Sequence, residues 1–135
     1  MNNKKATIIP PLSSFEHALD IQGRKIKGAV FIPNISNNPN LHSLESILGR
    51  LRFLNIVDWY TDQKGYQRVS HRVKKILDLY SKSELDMIIC YSKGDLLEYE
   101  RSLENNENFI KECGIPSYCI QECILIKNNE VVHLS

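Results

Sequence analysis

The sequence has no run of about eighteen apolar residues, the length a helix needs to cross a bilayer, and no charged-then-apolar leader. No membrane partner is expected, and the reading is a soluble cytoplasmic protein. Net charge is almost absent as well. The 17 Lys and Arg residues nearly cancel the 16 Asp and Glu residues, leaving +1, so no overall basic field marks a nucleic-acid binder. There is no Gly-rich phosphate loop, and a nucleotide site would rest on fold analogy alone. The four cysteines, Cys90, Cys113, Cys119 and Cys123, form no CxxC pair. As a zinc set with His133 their spacing is loose, so no metal and no cofactor is expected. Cys90 sits in an apolar run and reads as a small hydrophobe. Internal repeats and low-complexity tracts are also missing.

What is there suffices for one domain. A chain of 135 residues can bury about two-thirds of its unfolded surface without metals or disulfides. The chain is organised around residues 25–54. Gly28-Ala29-Val30-Phe31-Ile32 is a short apolar run of the kind that forms a strand buried on both faces. Leu41, Leu44, Ile47, Leu48, Leu51 and Leu54 follow the three-four spacing of one helix face, which predicts a helix over 41–54. The polar loop from Pro33 to Asn40 joins them, at the sheet edge where α/β proteins place ligands, and it contains Ser36.

The flanking segments extend the pattern. Before the central unit, Ala6 to Ile9 reads as a short strand stopped by Pro10-Pro11. A helix then begins at Ser13, with Glu16 completing a capping box and Gly23 as terminator. After it, Ile56 to Tyr60 reads as a strand, and Val69, Val73, Ile76, Leu77 and Tyr80 mark a second amphipathic helix. Asp86 to Tyr91 is a central parallel strand, 95–113 a third helical region, and Ser117 to Ile126 is strand-like. Lys127 to Glu130 then forms a hairpin turn before Val131 to Leu134. Strands alternating with helices imply an α/β fold: three layers around a mostly parallel sheet, Rossmann-like, closed by a C-terminal antiparallel hairpin. The domain division expected is an N-terminal extension over 1–24 and the α/β domain over 25–135.

From Gly28 to about Gln121 the chain resembles the N-terminal catalytic domain of serine recombinases, the resolvase and invertase family. That family has a strand ending Tyr-x-Arg-Val-Ser, a polar loop, and Ser-Leu-Glu-x-Gln opening a helix. The matching residues here are Ile32-Pro33-Asn34-Ile35-Ser36, then Asn37 to Asn40, then Ser43-Leu44-Glu45-Ser46-Ile47, with no gap. Downstream, Tyr60-Thr61-Asp62 stands where the family has Tyr-x-Asp, Arg72-Val73 where it has Arg-Pro, and Gly114-Ile115 where it has Gly-Val. Asp86 to Tyr91 matches the strand before the family's Asp-Arg-Leu-Ser-Arg motif. The resemblance implies a resolvase-like fold, a role connected with DNA recombination or a mobile element, Ser36 at the nucleophile position and Arg72 at a phosphate-holding position.

The departures from the family pattern bear on activity. A serine hydroxyl is a weak nucleophile, and phosphoryl transfer needs positive groups at the charged oxygens. Here the arginine two before the serine is replaced by Asn34. The two arginines of the later motif fall on Asp95 and Glu98, or on Leu96 and Tyr99 in a register shifted by one. Lys93 and Arg101 are nearby but unmatched, and lysine lacks the bidentate fork that suits phosphate. Each missing preorganised donor costs roughly 3–4 kcal/mol of transition-state stabilisation, so three losses leave no useful chemistry. Acidic residues in the vacated places also repel phosphate. The bland role for Ser36 is a loop serine or helix cap.

The expectation is a catalytically inactive serine-recombinase-like domain acting as an interaction or regulatory protein, with another protein as partner and weak or no DNA binding. The alternatives are a small-ligand or phosphate-binding α/β module, and a minimal active recombinase or nuclease using Ser36. The sequence ends in a hairpin rather than the family's long helix, so Phe15, Leu19 and their helix are expected to dock on the domain, giving a monomer or a dimer unlike the family's. His17, His42, His71 and His133 are scattered and read as surface or cap residues. Asp58 and Asp62 read as strand-end and turn residues rather than a metal pair. Arg50, Arg52, Arg68, Arg72, Lys74 and Lys75 read as solvated helix-face charges.

Overall fold

The structure is a computed structural model describing residues 9–33, 41–62, 69–94, 114–128 and 130–134. At 33, 41–42, 60–62 and 69–74 only the backbone is described. In chain order the elements are α1 (Leu12–Leu19), β1 (Ile26–Pro33), α2 (Leu41–Arg50), β2 (Leu54–Asp62), α3 (Val69–Ser81), β3 (Met87–Cys90), β4 (Ser117–Cys119), β5 (Ile124–Lys127) and β6 (Glu130–His133). The strands form one six-stranded sheet in the order β2-β1-β3-β4-β5-β6. The first four run parallel, and β5 and β6 are antiparallel to their neighbours.

The period of two along each strand sorts side chains into two cores. Ile26, Val30 and Ile32 of β1, Met87 and Ile89 of β3, Tyr118 of β4 and Leu125 of β5 share a cluster with Leu44, Ile47 and Leu48 of α2 and Phe15 and Ala18 of α1. Ala29 and Phe31, Ile88 and Cys90, Cys119 and Ile124 share the opposite cluster with Ile76 of α3. Helices therefore cover both faces, which is why β1 and β3 are apolar without alternation. At Gly28 the neighbouring side chains of β3 and β2 fill the space that a Cβ would take. A Cβ there would lie 2.5 Å from Ile89 Cδ1 and 3.3 Å from Leu54 Cδ1.

Strand β2 is paired to β1 through a bulge. Ile56 is opposite Gly28 and Asp58 opposite Ala29, leaving Val57 as the extra residue. Val57 packs on the α3-side cluster, and Asp58 reaches Lys75 on α3.

Several sequence expectations need correction. The helix predicted over 41–54 ends at Arg50. Leu51 N–H donates to the Leu48 carbonyl and Leu54 N–H to the Leu51 carbonyl, and Leu54 then starts β2, so its helical spacing is a coincidence of two buried elements. The strand-like stretch from Ser117 to Ile126 is two antiparallel strands. The backbone reverses at 120–123, where Cys123 takes a φ of 55° and donates its N–H to the Ile120 carbonyl. The antiparallel part is consequently three strands, β4 to β6, rather than a single hairpin. The capping box at Ser13 does not form. Pro11 is the N-cap with no side-chain hydrogen bond, and Glu16 accepts from Gly23 N–H instead. Helix α1 ends at Asp20 in the left-handed region, short of Gly23. The expected strand at 6–9 and the helix over 95–113 lie outside the described residues, apart from Ile9.

Candidate functional site at the carboxyl edge of the sheet

Because β2 and β3 flank β1, the chain reverses its winding direction between β1 and β3, and the crevice beyond the carboxyl ends of those strands is where an open α/β sheet accepts a ligand. β1 ends at Pro33 on this edge. Ser36 and Asn34, which follow β1 in the sequence, lie outside the described residues. One wall follows β3 and is described through Gly94. Tyr91 and Ser92 leave the strand, and Lys93 and Gly94 are helical. Asp95, Leu96, Glu98, Tyr99 and Arg101 lie beyond the described residues. Arg72 falls in the first turn of α3, which starts on the carboxyl side of β2. Its side chain is outside the described set.

The β3 wall is pinned by the chain that follows β4. Ile120 N–H donates to the Cys90 carbonyl at 3.0 Å, and Gln121 N–H to the Tyr91 carbonyl at 2.7 Å. The turn then brings Glu122 over the start of the helical segment. Lys93 N–H donates to both carboxylate oxygens, at 3.0 and 3.1 Å. A carboxylate is favourable where helical N–H groups begin. It also takes the position that such N–H groups would otherwise offer to a phosphate.

Glu122 was not visible as a functional residue in the sequence. Ile120 to Cys123 contains no Gly, Pro, Asn or Asp to announce a turn, and without the turn Glu122 is only a polar residue in a strand-like run.

The remaining candidates do not converge on a second site among the described residues. Asp58 forms an ion pair with Lys75, while the Asp62 side chain is not described. Cys119 and Cys123 belong to clusters on opposite faces of the sheet, and Cys113 is outside the described residues. His17 and His133 are exposed on α1 and β6, and the side chains of His42 and His71 are not described. Among the described residues no group of three or more His, Cys, Asp or Glu could hold a metal, and no helix is long and apolar enough to cross a membrane.

The opposite, amino edge of the sheet holds a cleft of about 350 Å³ lined by Leu19, Arg24, Tyr80, Asp86, Pro116 and Lys127 among others. Its charges serve the fold. Arg24 makes two hydrogen bonds to Asp86, at 2.7 and 2.6 Å, and Lys27 N–H adds a third at 2.8 Å. The Asp86 side chain is 9% exposed. Burial opposes its ionisation, but the Arg24 and Lys27 hydrogen bonds outweigh that and hold its carboxyl below the usual value. Lys127 Nζ donates to the Ala18 carbonyl at the end of α1, and Lys27 Nζ to the Ser83 carbonyl. Sequence reasoning could not find the Arg24–Asp86 pair, since the residues are 62 positions apart.

The fold defines the class: an α/β protein with a six-stranded, mostly parallel mixed sheet whose last two strands, β5 and β6, are antiparallel. Comparison with family models and with characterised proteins finds no match to this chain.

Proposed function

We propose that the chain is a serine-recombinase-like α/β domain that performs no strand-transfer chemistry and works by binding another protein, as an interaction or regulatory unit. The strand order β2-β1-β3-β4 with Ser36 following β1 is compatible with the resolvase-like sequence landmarks. The observation that carries the non-catalytic part is the Glu122 carboxylate on Lys93 N–H at the β3 wall of the crevice. Glu122 is exposed, so the repulsion that a phosphate charge meets about 5 Å from it lies near the water value of about 1 kcal/mol. That penalty adds to the cost of Asn34 standing where the family has an arginine.

Two exposed apolar side chains, on strands at opposite edges of the sheet, offer separate points of contact to a protein partner. Trp59 on β2 is 46% exposed and Val131 on β6 is 48% exposed, and tryptophan is among the residues that dominate binding energy at interfaces. The near-zero net charge gives no comparable support for DNA as the partner. Incubation of the full chain with supercoiled plasmid tests the reading. The plasmid should stay supercoiled, and nicking that disappears in Ser36→Ala would overturn the proposal.

A further inference from the structure

We propose that α1 is a strap that undocks from the α2 side of the sheet as a unit, pivoting at Gly23 while the chain from Arg24 onward stays fixed. Four independent features of the structure support this. First, α1 has eight residues and no side-chain cap at Pro11. Isolated helices shorter than about 12–15 residues do not hold together in water, so its helicity depends on docking.

Second, the docked state carries a built-in penalty. Phe15 seats edge-on against Tyr118, with centroids 5.0 Å apart and planes at 90°. Tyr118 is fully buried, and its hydroxyl has no hydrogen-bond partner among the described residues. Burial pushes this phenol well above its ordinary pKa, with Cys123 and Cys119 adding to the effect. It is therefore a neutral donor with no acceptor among the described residues. An unpaired buried hydroxyl destabilises the arrangement that buries it, and water relieves the penalty when the cover lifts.

Third, the boundary of the moving unit is marked on the backbone. Gly23 has a φ of 69°, and residues 22–25 are exposed. Beyond Gly23 the Arg24–Asp86 pair and the hydrogen bond from Ile26 N–H to the Phe53 carbonyl tie the chain to the sheet. Fourth, polar attachment is slight. Among the described residues, Lys127 Nζ to the Ala18 carbonyl is the hydrogen bond that joins α1 to the sheet, whereas Glu16 to Gly23 closes within the strap.

Amide hydrogen exchange on the full chain, in wild type and in Tyr118→Phe, tests the strap. The amides of Glu16 to Leu19 should exchange at least about tenfold faster than those of β1 and β3, as local opening below the global limit requires. In Tyr118→Phe, where docking no longer strands a hydroxyl, the same α1 amides should slow by about tenfold. If the α1 amides exchange at the rate of the β1 and β3 amides, the strap does not open separately and the proposal fails. It fails equally if α1 exchanges quickly but its rate is the same in both proteins, because opening then does not release Tyr118.

Discussion

Replacing Phe15 with alanine removes the side chain on which α1 depends. Phe15 is fully buried, its ring lies 5.0 Å from that of Tyr118 and 5.5 Å from that of Phe53, and it is the largest apolar residue that α1 contributes to the core. Deleting a buried phenylalanine side chain costs about 3–5 kcal/mol through lost transfer energy and the cavity left behind. The two aromatic contacts contribute within that figure, at about 0.5–1.5 kcal/mol each. Since α1 is too short to stay folded undocked, the predicted product is a domain whose sheet, α2 and α3 persist while α1 unravels. Urea denaturation followed by far-UV circular dichroism should show a loss of about 3–5 kcal/mol together with a small fall in helical signal before the transition. Phe15→Leu should lose less, because it refills most of the space. A loss under about 1 kcal/mol in Phe15→Ala would refute the reasoning, since a side chain buried to this degree cannot be removed so cheaply unless α1 contributes nothing to stability.

The Arg24–Asp86 pair predicts a pH dependence with a definite sign. Asp86 is held below its ordinary value of 3.8, so its stabilisation is complete above that pH and is lost as pH falls through the lower folded value. Arg24→Ala should accordingly cost about 1–3 kcal/mol at pH 7 and much less at pH 2, measured by denaturation at both values. An equal cost at both would show that the charge on Asp86 is immaterial. Gly28→Ala should destabilise by about 1–3 kcal/mol by overpacking, because the new methyl would meet Ile89 at 2.5 Å. An unchanged melting temperature would mean that Ile89 simply moves aside.

The parts of this fold legible in the sequence were those fixed by local periodicity. Leu44, Ile47, Leu48 and Leu51 pointed to α2, and Met87 to Cys90 read as buried on both faces because both faces are covered. Docking of Phe15 followed from the narrow stripe of its helix. Features created by tertiary contact could not be read. Leu54 fits the helical spacing, yet backbone hydrogen bonds around Leu51 stop α2 before it. The reversal at Ile120 to Cys123 is imposed by the pairing of β4 with β5, against residues with no turn preference. Glu16 found Gly23 rather than the backbone at Ser13, because the helix starts at Leu12 behind Pro11. At the carboxyl edge Ser36 lies outside the described residues, and the place of Glu122 depends on the unannounced turn and on a contact across 29 positions.

The central claim, that the crevice between β1 and β3 carries out no transfer of DNA to Ser36, is tested most directly by looking for the covalent bond itself. The full chain would be incubated with end-labelled duplex DNA, quenched in detergent and run on a denaturing gel, with Ser36→Ala alongside. The account predicts no labelled band at the mass of the protein in either lane, whereas a labelled band present in wild type and absent in Ser36→Ala would contradict it.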